Sequence, residues 1–279
     1  MSKPIIGIPM GDPAGIGPEI ILKALAVEDI YEICRPVVIG SAAVLRMAEC
    51  FVHSGLSLNP VSSVAGMKAN FGTIDVFDID MPEPETLAWG KVDGRAGAAA
   101  YEYIKKAAEL CMDNSVDAMA TAPINKESIR AAGIDFIGHT EMLAHLSGTE
   151  DPLTMFQVRN MRVFFLSRHM SLRAACDAVK KDKIKSYIGR SLEALERLGI
   201  KKPLLAVAGL NPHNGEHGMF GNEEPDEIFP AVSECAAEGL NVIGPVPADS
   251  VFAMALKGRY DGVLSLYHDQ GHIATKTVD

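Results

Sequence analysis

The chain has 279 residues, 48% hydrophobic and 22% charged, enough to bury a large core in one or two α/β domains. Its net charge of −10 argues against nucleic acid and anionic membrane as principal partners, although Lys126, Arg130, Arg159 and Arg168 could line a local anion pocket. The cysteines (Cys34, Cys50, Cys111, Cys176 and Cys235) are scattered, with no C-x-x-C, and read as reduced thiols rather than a disulfide framework.

The N-terminus, MSKPIIGIPMGDP, lacks the apolar length of a signal peptide or spanning helix, so a cytoplasmic protein is expected. Ile5 to Pro9 read as a first strand. The loop GDPAGIGPE (Gly11 to Glu19) follows, then a helix from about Pro18 to Ala26 with proline in its first turn. That loop is neither G-x-G-x-x-G nor a P-loop; its glycines suit either an anion-binding loop or a simple tight turn. RPVVIG (Arg35 to Gly40) is a second strand, followed by a helix over Ala42 to Cys50, and TIDVFDI (Thr73 to Ile79) is the next strand candidate.

A helical period runs from Gly97 to Met112, and VDAMATAP (Val116 to Pro123) reads as a buried strand. NKESIRAAG (Asn125 to Gly133) is a short capped helix. Its Lys126 stands just beyond a strand, where an ammonium would neutralise a phosphate or carboxylate; an ordinary solvated lysine explains it equally well. GHTEMLAHLSG (Gly138 to Gly148) is another helix, and its His139 and Thr140 supply donors for a phosphate or hydroxyl, with a plain helix cap as the alternative for Thr140.

The alternation continues with MRVFFLS, one or two helices in LRAACDAVKKDKIKSYIGRSLEALERLG, LLAVAGL, a helix within DEIFPAVSECAAEG, VIGPV, a helix near Val251 to Leu256, and GVLSLY. The final IATKTVD reads as the start of a further strand. Strands alternating with helices predict an α/β fold, with a largely parallel or mixed sheet covered on both faces.

Three histidines follow apolar runs: His169 after VFFLSR, His213 after LLAVAGLNP and His268 after GVLSLY. If those strands are parallel neighbours, the imidazoles meet at one sheet edge as a nitrogen-rich divalent-metal site. Unrelated loop histidines, each hydrogen-bonded locally, are the alternative. Spacing alone does not decide between them. His217 and His272 are poorer ligand candidates, and Asp269 is a candidate either to accept from its neighbour's ring or to serve as an extra ligand.

GDPAGIGPE, TAPINK, GHTE, SRHMSLR, GLNPHNGEHG, GPVPAD and YHDQG, in that order from Gly11 to Gly271, together resemble the 4-hydroxythreonine-4-phosphate dehydrogenase family. The resemblance implies a homodimer with a shared active site, using NAD and a divalent cation (Zn, Mg, Mn or Co). It also implies a fold like isocitrate and isopropylmalate dehydrogenases, with two α/β domains flanking a cleft. On that basis residues 1–135 form a first domain, completed by a C-terminal segment absent from this sequence, and 136–279 a second.

The family's metal ligands map onto His169, His213 and His268, and its substrate-binding pair onto His139 and Thr140. Lys276 matches a substrate lysine, and Lys126 is a further anion contact. Family contacts beyond that lysine have no counterpart here, which implies a longer C-terminal tail. YHDQGHIATK, with His272 and Ile273, is more similar to a branch acting on 4-phospho-D-threonate or 4-phospho-D-erythronate than to the vitamin B6 biosynthetic enzymes. The implied reaction is oxidation at C3 followed by loss of CO2, with Asp249 or Lys276 as the base. A metal-dependent sugar-phosphate hydrolase or aldolase, and a non-catalytic metal- or phosphate-binding protein, are the rival classes.

Overall fold

The computed structural model describes residues 3–136 and 138–278, which fall into two compact units meeting in sequence at Pro152 and Leu153. The first unit runs β1 (Ile5–Pro9), α1 (Gly17–Leu25), α2 (Glu28–Ile33), β2 (Arg35–Gly40), α3 (Ala42–Val52), β3 (Ser57–Val61) and β4 (Thr73–Asp78). It continues through α4 (Gly94–Met112), β5 (Ala118–Met119), α5 (Lys126–Ala131) and α6 (His139–Ser147). Its sheet has the order β3-β4-β2-β1-β5, with every pairing parallel. β2 lies in the middle with Val37, Val38 and Ile39 fully buried, which is why RPVVIG is a continuous apolar run rather than an alternating one.

The strand expected over Val116 to Pro123 is shorter and less buried than its composition implies. Only Ala118 and Met119 are regular strand, and they form the edge of the sheet. Hydrogen bonds from Ala120 N to Gly7 O and from Ala122 N to Pro9 O keep the next residues aligned beside β1. An edge position with one open side accounts for the exposed residues.

α4 and α5 approach closely at Gly97, where an added Cβ would lie 1.9 Å from the Ser128 carbonyl oxygen. Gly97→Ala is therefore expected to destabilise the first unit by about 3 kcal/mol through overpacking, as measured by urea unfolding. α6 packs on the same pair through Met142, which clusters with Ala100, Ile104 and Ile129. It thus belongs to the first unit, although a division at residue 135 assigns it to the second half.

The second unit contains β6 (Met155–Val158), β7 (Met161–Phe165), α7 (Leu172–Asp177), α8 (Lys181–Arg197), β8 (Leu205–Ala208), α9 (Phe229–Ala237), β9 (Val242–Val246), α10 (Ala248–Leu256), β10 (Gly262–Ser265) and α11 (His268–Val278). Its sheet has the order β6-β7-β10-β8-β9, in which only the β6–β7 hairpin is antiparallel. Both β8 and β10 are buried along their whole length. α8 covers one face with Ile184, Ile188 and Leu195, while Val251 and Ala255 of α10 belong to the core on the other.

The segment IATKTVD is not a strand; Ile273 to Val278 complete α11. Its β-branched residues favour extended backbone, but packing outweighs that preference. Gly271 and Thr275 are buried, and Thr275 Oγ1 donates to the Gly271 carbonyl one turn back, as Thr277 Oγ1 does to Ile273.

Candidate active site

β7, β10 and β8 are adjacent and parallel, so their C-terminal loops emerge at one sheet edge. Those loops carry His169, His268 and His213, at the position where open α/β sheets bind ligands. Hydrogen bonds stitch the loops together. Ser167 Oγ donates to Leu266 O (2.8 Å), joining the β7 and β10 exits. Gln270 accepts from Leu266 N and donates to Gly209 O, both at 2.7 Å, joining β10 to β8.

The rings of His169 and His268 lie 6.0 Å apart, centroid to centroid. They face a cavity of about 260 Å³ that Arg168, Met170, Tyr267 and Asp269 also line. His268 Nδ1 is 2.6 Å from Asp269 Oδ1. An ionised carboxylate only accepts, so Nδ1 carries a proton and, in the neutral ring, Nε2 is the nitrogen with the lone pair.

His213 has the same arrangement with Glu216 Oε1, at 2.7 Å. That hydrogen bond, with the Glu216 charge and a smaller contribution from Asp249, raises the His213 pKa. Asp249 and His213 line a second hollow of about 310 Å³, together with Asn211. In its neutral form each carboxylate-oriented imidazole keeps its proton on Nδ1 and offers Nε2 to a divalent cation. Among the described residues, however, no three His, Cys, Asp or Glu side chains already form a metal cage. The structure thus pairs His169 with His268 and sets His213 on the neighbouring strand's loop.

The His213 loop has an unusual backbone. Residues His213 to His217 all have positive φ, forming a left-handed turn that L-residues avoid in succession. Glu224, only 3% exposed, holds the approach to it. Its Oε1 accepts from Leu210 N and Asn211 N, both at 2.7 Å, and its Oε2 accepts from Asn211 Nδ2 at 2.8 Å. Sequence reasoning missed Ser167, Glu216, Glu224 and Gln270. They act on neighbouring backbone and side chains, which no ligand spacing reveals; the glutamine of YHDQG and the paired glutamates of GNEE are their only signals.

Lys276 is exposed on α11, two turns beyond His268. Lys126, His139 and Thr140 gather separately in the first unit, near the exit of β5. Asn125 caps α5 by accepting from Glu127 N and Ser128 N, and the Lys126 side chain rests against Gly138, with Cε 3.9 Å from an ideal Cβ there. Thr140 is exposed in the first turn of α6.

His139 opens that helix with Nε2 buried and unpartnered among the described residues. Burial lowers its pKa, against a hydrogen bond to the Ala122 backbone. An unfolded chain binds this proton more readily, so the His139 contribution is intact above its ordinary pKa of 6.5 and is lost as pH falls below it. His139→Gln is expected to flatten the acid-side decline in melting temperature measured between pH about 7 and 5.

A family model described as "Pyridoxal phosphate biosynthetic protein PdxA" matches residues 32–279. A curated protein of Clostridium botulinum (strain Hall), named "Putative D-threonate 4-phosphate dehydrogenase", is 56% identical over 278 residues, covering 100% of this chain and 83% of the relative. One of the same name from Symbiobacterium thermophilum is 56% identical over 280 residues, with the same coverage. The crystal structure of a 4-hydroxythreonine-4-phosphate dehydrogenase from Burkholderia phymatum superposes with TM-score 0.93 at 40% identity, covering 100% of this chain and 84% of that one. The chain belongs to the PdxA family and is a dehydrogenase acting on a CH–OH group.

Proposed function

We propose that the protein oxidises 4-phospho-D-threonate or 4-phospho-D-erythronate at C3, with NAD as hydride acceptor and a divalent cation held by His169, His213 and His268. The observation that carries this reading is the convergence of three parallel strand ends, with two histidines held Nε2-free by carboxylates. When bound, the cation supplies Lewis-acid polarisation of the substrate hydroxyl and NAD accepts the hydride.

The chain's own residues do the rest. Lys126, His139, Thr140 and Lys276 hold the anionic groups of the substrate. Asp249, beside His213, removes the C3 hydroxyl proton, with Lys276 as the other candidate base. Oxidation leaves a β-keto acid, which loses CO2 to give dihydroxyacetone phosphate and NADH. A homodimer with a shared active site, the isocitrate dehydrogenase-like arrangement and a cytoplasmic location belong to the same reading.

The 56% relatives favour the sugar-acid phosphates. The solved neighbour named for 4-hydroxythreonine 4-phosphate, at 40% identity, supports a second reading in pyridoxal phosphate biosynthesis. NADH formation with Mn²⁺ and each substrate decides. Faster turnover of 4-phospho-D-threonate is expected; preference for 4-phosphohydroxy-L-threonine would favour the second reading, and NADH from neither would remove both.

A further inference from the structure

His272 belongs to the same surface but has no role in the mechanism above. On α11 it lies one turn beyond His268 and one turn before Lys276, along a single i, i+4, i+8 ridge. Its ring is 4.2 Å from that of His268. It stacks on Phe165 at 4.4 Å and 24°, and meets the edge of Phe156 at 4.3 Å and 88°.

Beside it, Gly271 lets α11 sit tightly on the sheet: an added Cβ would lie 2.5 Å from Phe165 Cε1 and 2.7 Å from Ser265 Oγ. Helix and ring are therefore both confined. His272 Nδ1 is buried and has no hydrogen-bond partner among the described residues. Any hydrogen bond from this ring to a ligand must go through Nε2.

Residue 272 stands about 6 Å along the helix axis from both 268 and 276. On the function proposed above, a phosphorylated four-carbon acid spanning from His268 to Lys276 along this ridge would pass the His272 ring. The titratable groups facing His272 are His268, Lys276, Asp269 and His169. Only Asp269 is an acceptor carboxylate, and it already accepts a hydrogen bond from His268 Nδ1. A substrate ammonium can only donate and meets the Lys276 charge along this ridge, whereas a hydroxyl can either accept from, or donate to, an imidazole.

We propose that His272 is a specificity-determining residue that hydrogen-bonds through Nε2 to the C2 hydroxyl of a sugar-acid phosphate and selects it over the 2-amino analogue. The assignment rests on the function proposed above. Its test compares wild type, His272→Leu and His272→Asn in the full-length enzyme. The readouts are kcat and KM on 4-phospho-D-threonate and 4-phosphohydroxy-L-threonine, and the Mn²⁺ Kd from electron paramagnetic resonance.

His272→Leu is expected to lower the hydroxy-to-amino ratio of kcat/KM by about tenfold or more, mainly through KM, with the Mn²⁺ Kd within about twofold of wild type. His272→Asn, which keeps a donor, recovers part of the ratio. An unchanged ratio while wild type turns over would overturn the role of His272 alone. A Mn²⁺ Kd weakened in step with kcat/KM would overturn it too, making the ring a support of the metal site. No turnover by wild type would overturn both this assignment and the proposed function.

Discussion

His268→Ala is expected to abolish NAD-dependent turnover and weaken Mn²⁺ binding by more than about 100-fold, since losing only an outer-shell partner of a metal histidine typically costs about 10–100-fold. His268 stands at the exit of the central strand β10, and its neighbour Asp269 fixes the tautomer that leaves Nε2 free. Removing the ring deletes a donor and leaves Asp269 with no proton to accept there. Stability should barely move. The side chain is 40% exposed, and substitutions at such positions usually shift unfolding by about 0.5 kcal/mol or less. Mn²⁺ titration beside a melting curve separates the two effects, and wild-type Mn²⁺ affinity in this variant would remove His268 from the site.

Glu224→Ala should be nearly as damaging, by another route. The carboxylate is buried and survives there because Leu210 N, Asn211 N and Asn211 Nδ2 all donate to it. Its removal leaves two backbone donors unpartnered, at about 1–3 kcal/mol each. It also loosens the hold on the left-handed turn from His213 to His217, a backbone that L-residues adopt in succession only under strain. A loop released from this strain carries His213 with it. The expected result is a stability loss of about 3 kcal/mol and Mn²⁺ binding weakened by at least about tenfold. Glu224→Gln, which keeps one acceptor oxygen, should lose less of both. Urea unfolding with Mn²⁺ titration checks each; full Mn²⁺ affinity in the alanine variant would show that the loop does not need its clamp.

The strand and helix alternation was legible because buried parallel strands such as RPVVIG and GVLS are continuous apolar runs, while α4 and α8 carry a clear helical period. The placement of His169 and His268 was legible for the same reason: both directly follow such runs. The adjacency of β7, β10 and β8 was not. Strand order depends on crossovers that local pattern does not encode, and so do the stitches made by Ser167 and Gln270. The end of the chain misled through propensity. Ile273, Thr275, Thr277 and Val278 favour strand, but threonine back-bonding and the tight seat at Gly271 keep them helical. Glu224 was hidden for a different reason: it holds backbone donors, and its value appears only once the loop folds over it.

The most direct measurement is a crystal structure with Mn²⁺ and 4-phospho-D-threonate, with the ion located by its anomalous signal. The account predicts one ion ligated by the Nε2 atoms of His169, His213 and His268, with the substrate's C3 hydroxyl against it. An ion held elsewhere, or a substrate bound away from these three histidines, would contradict it.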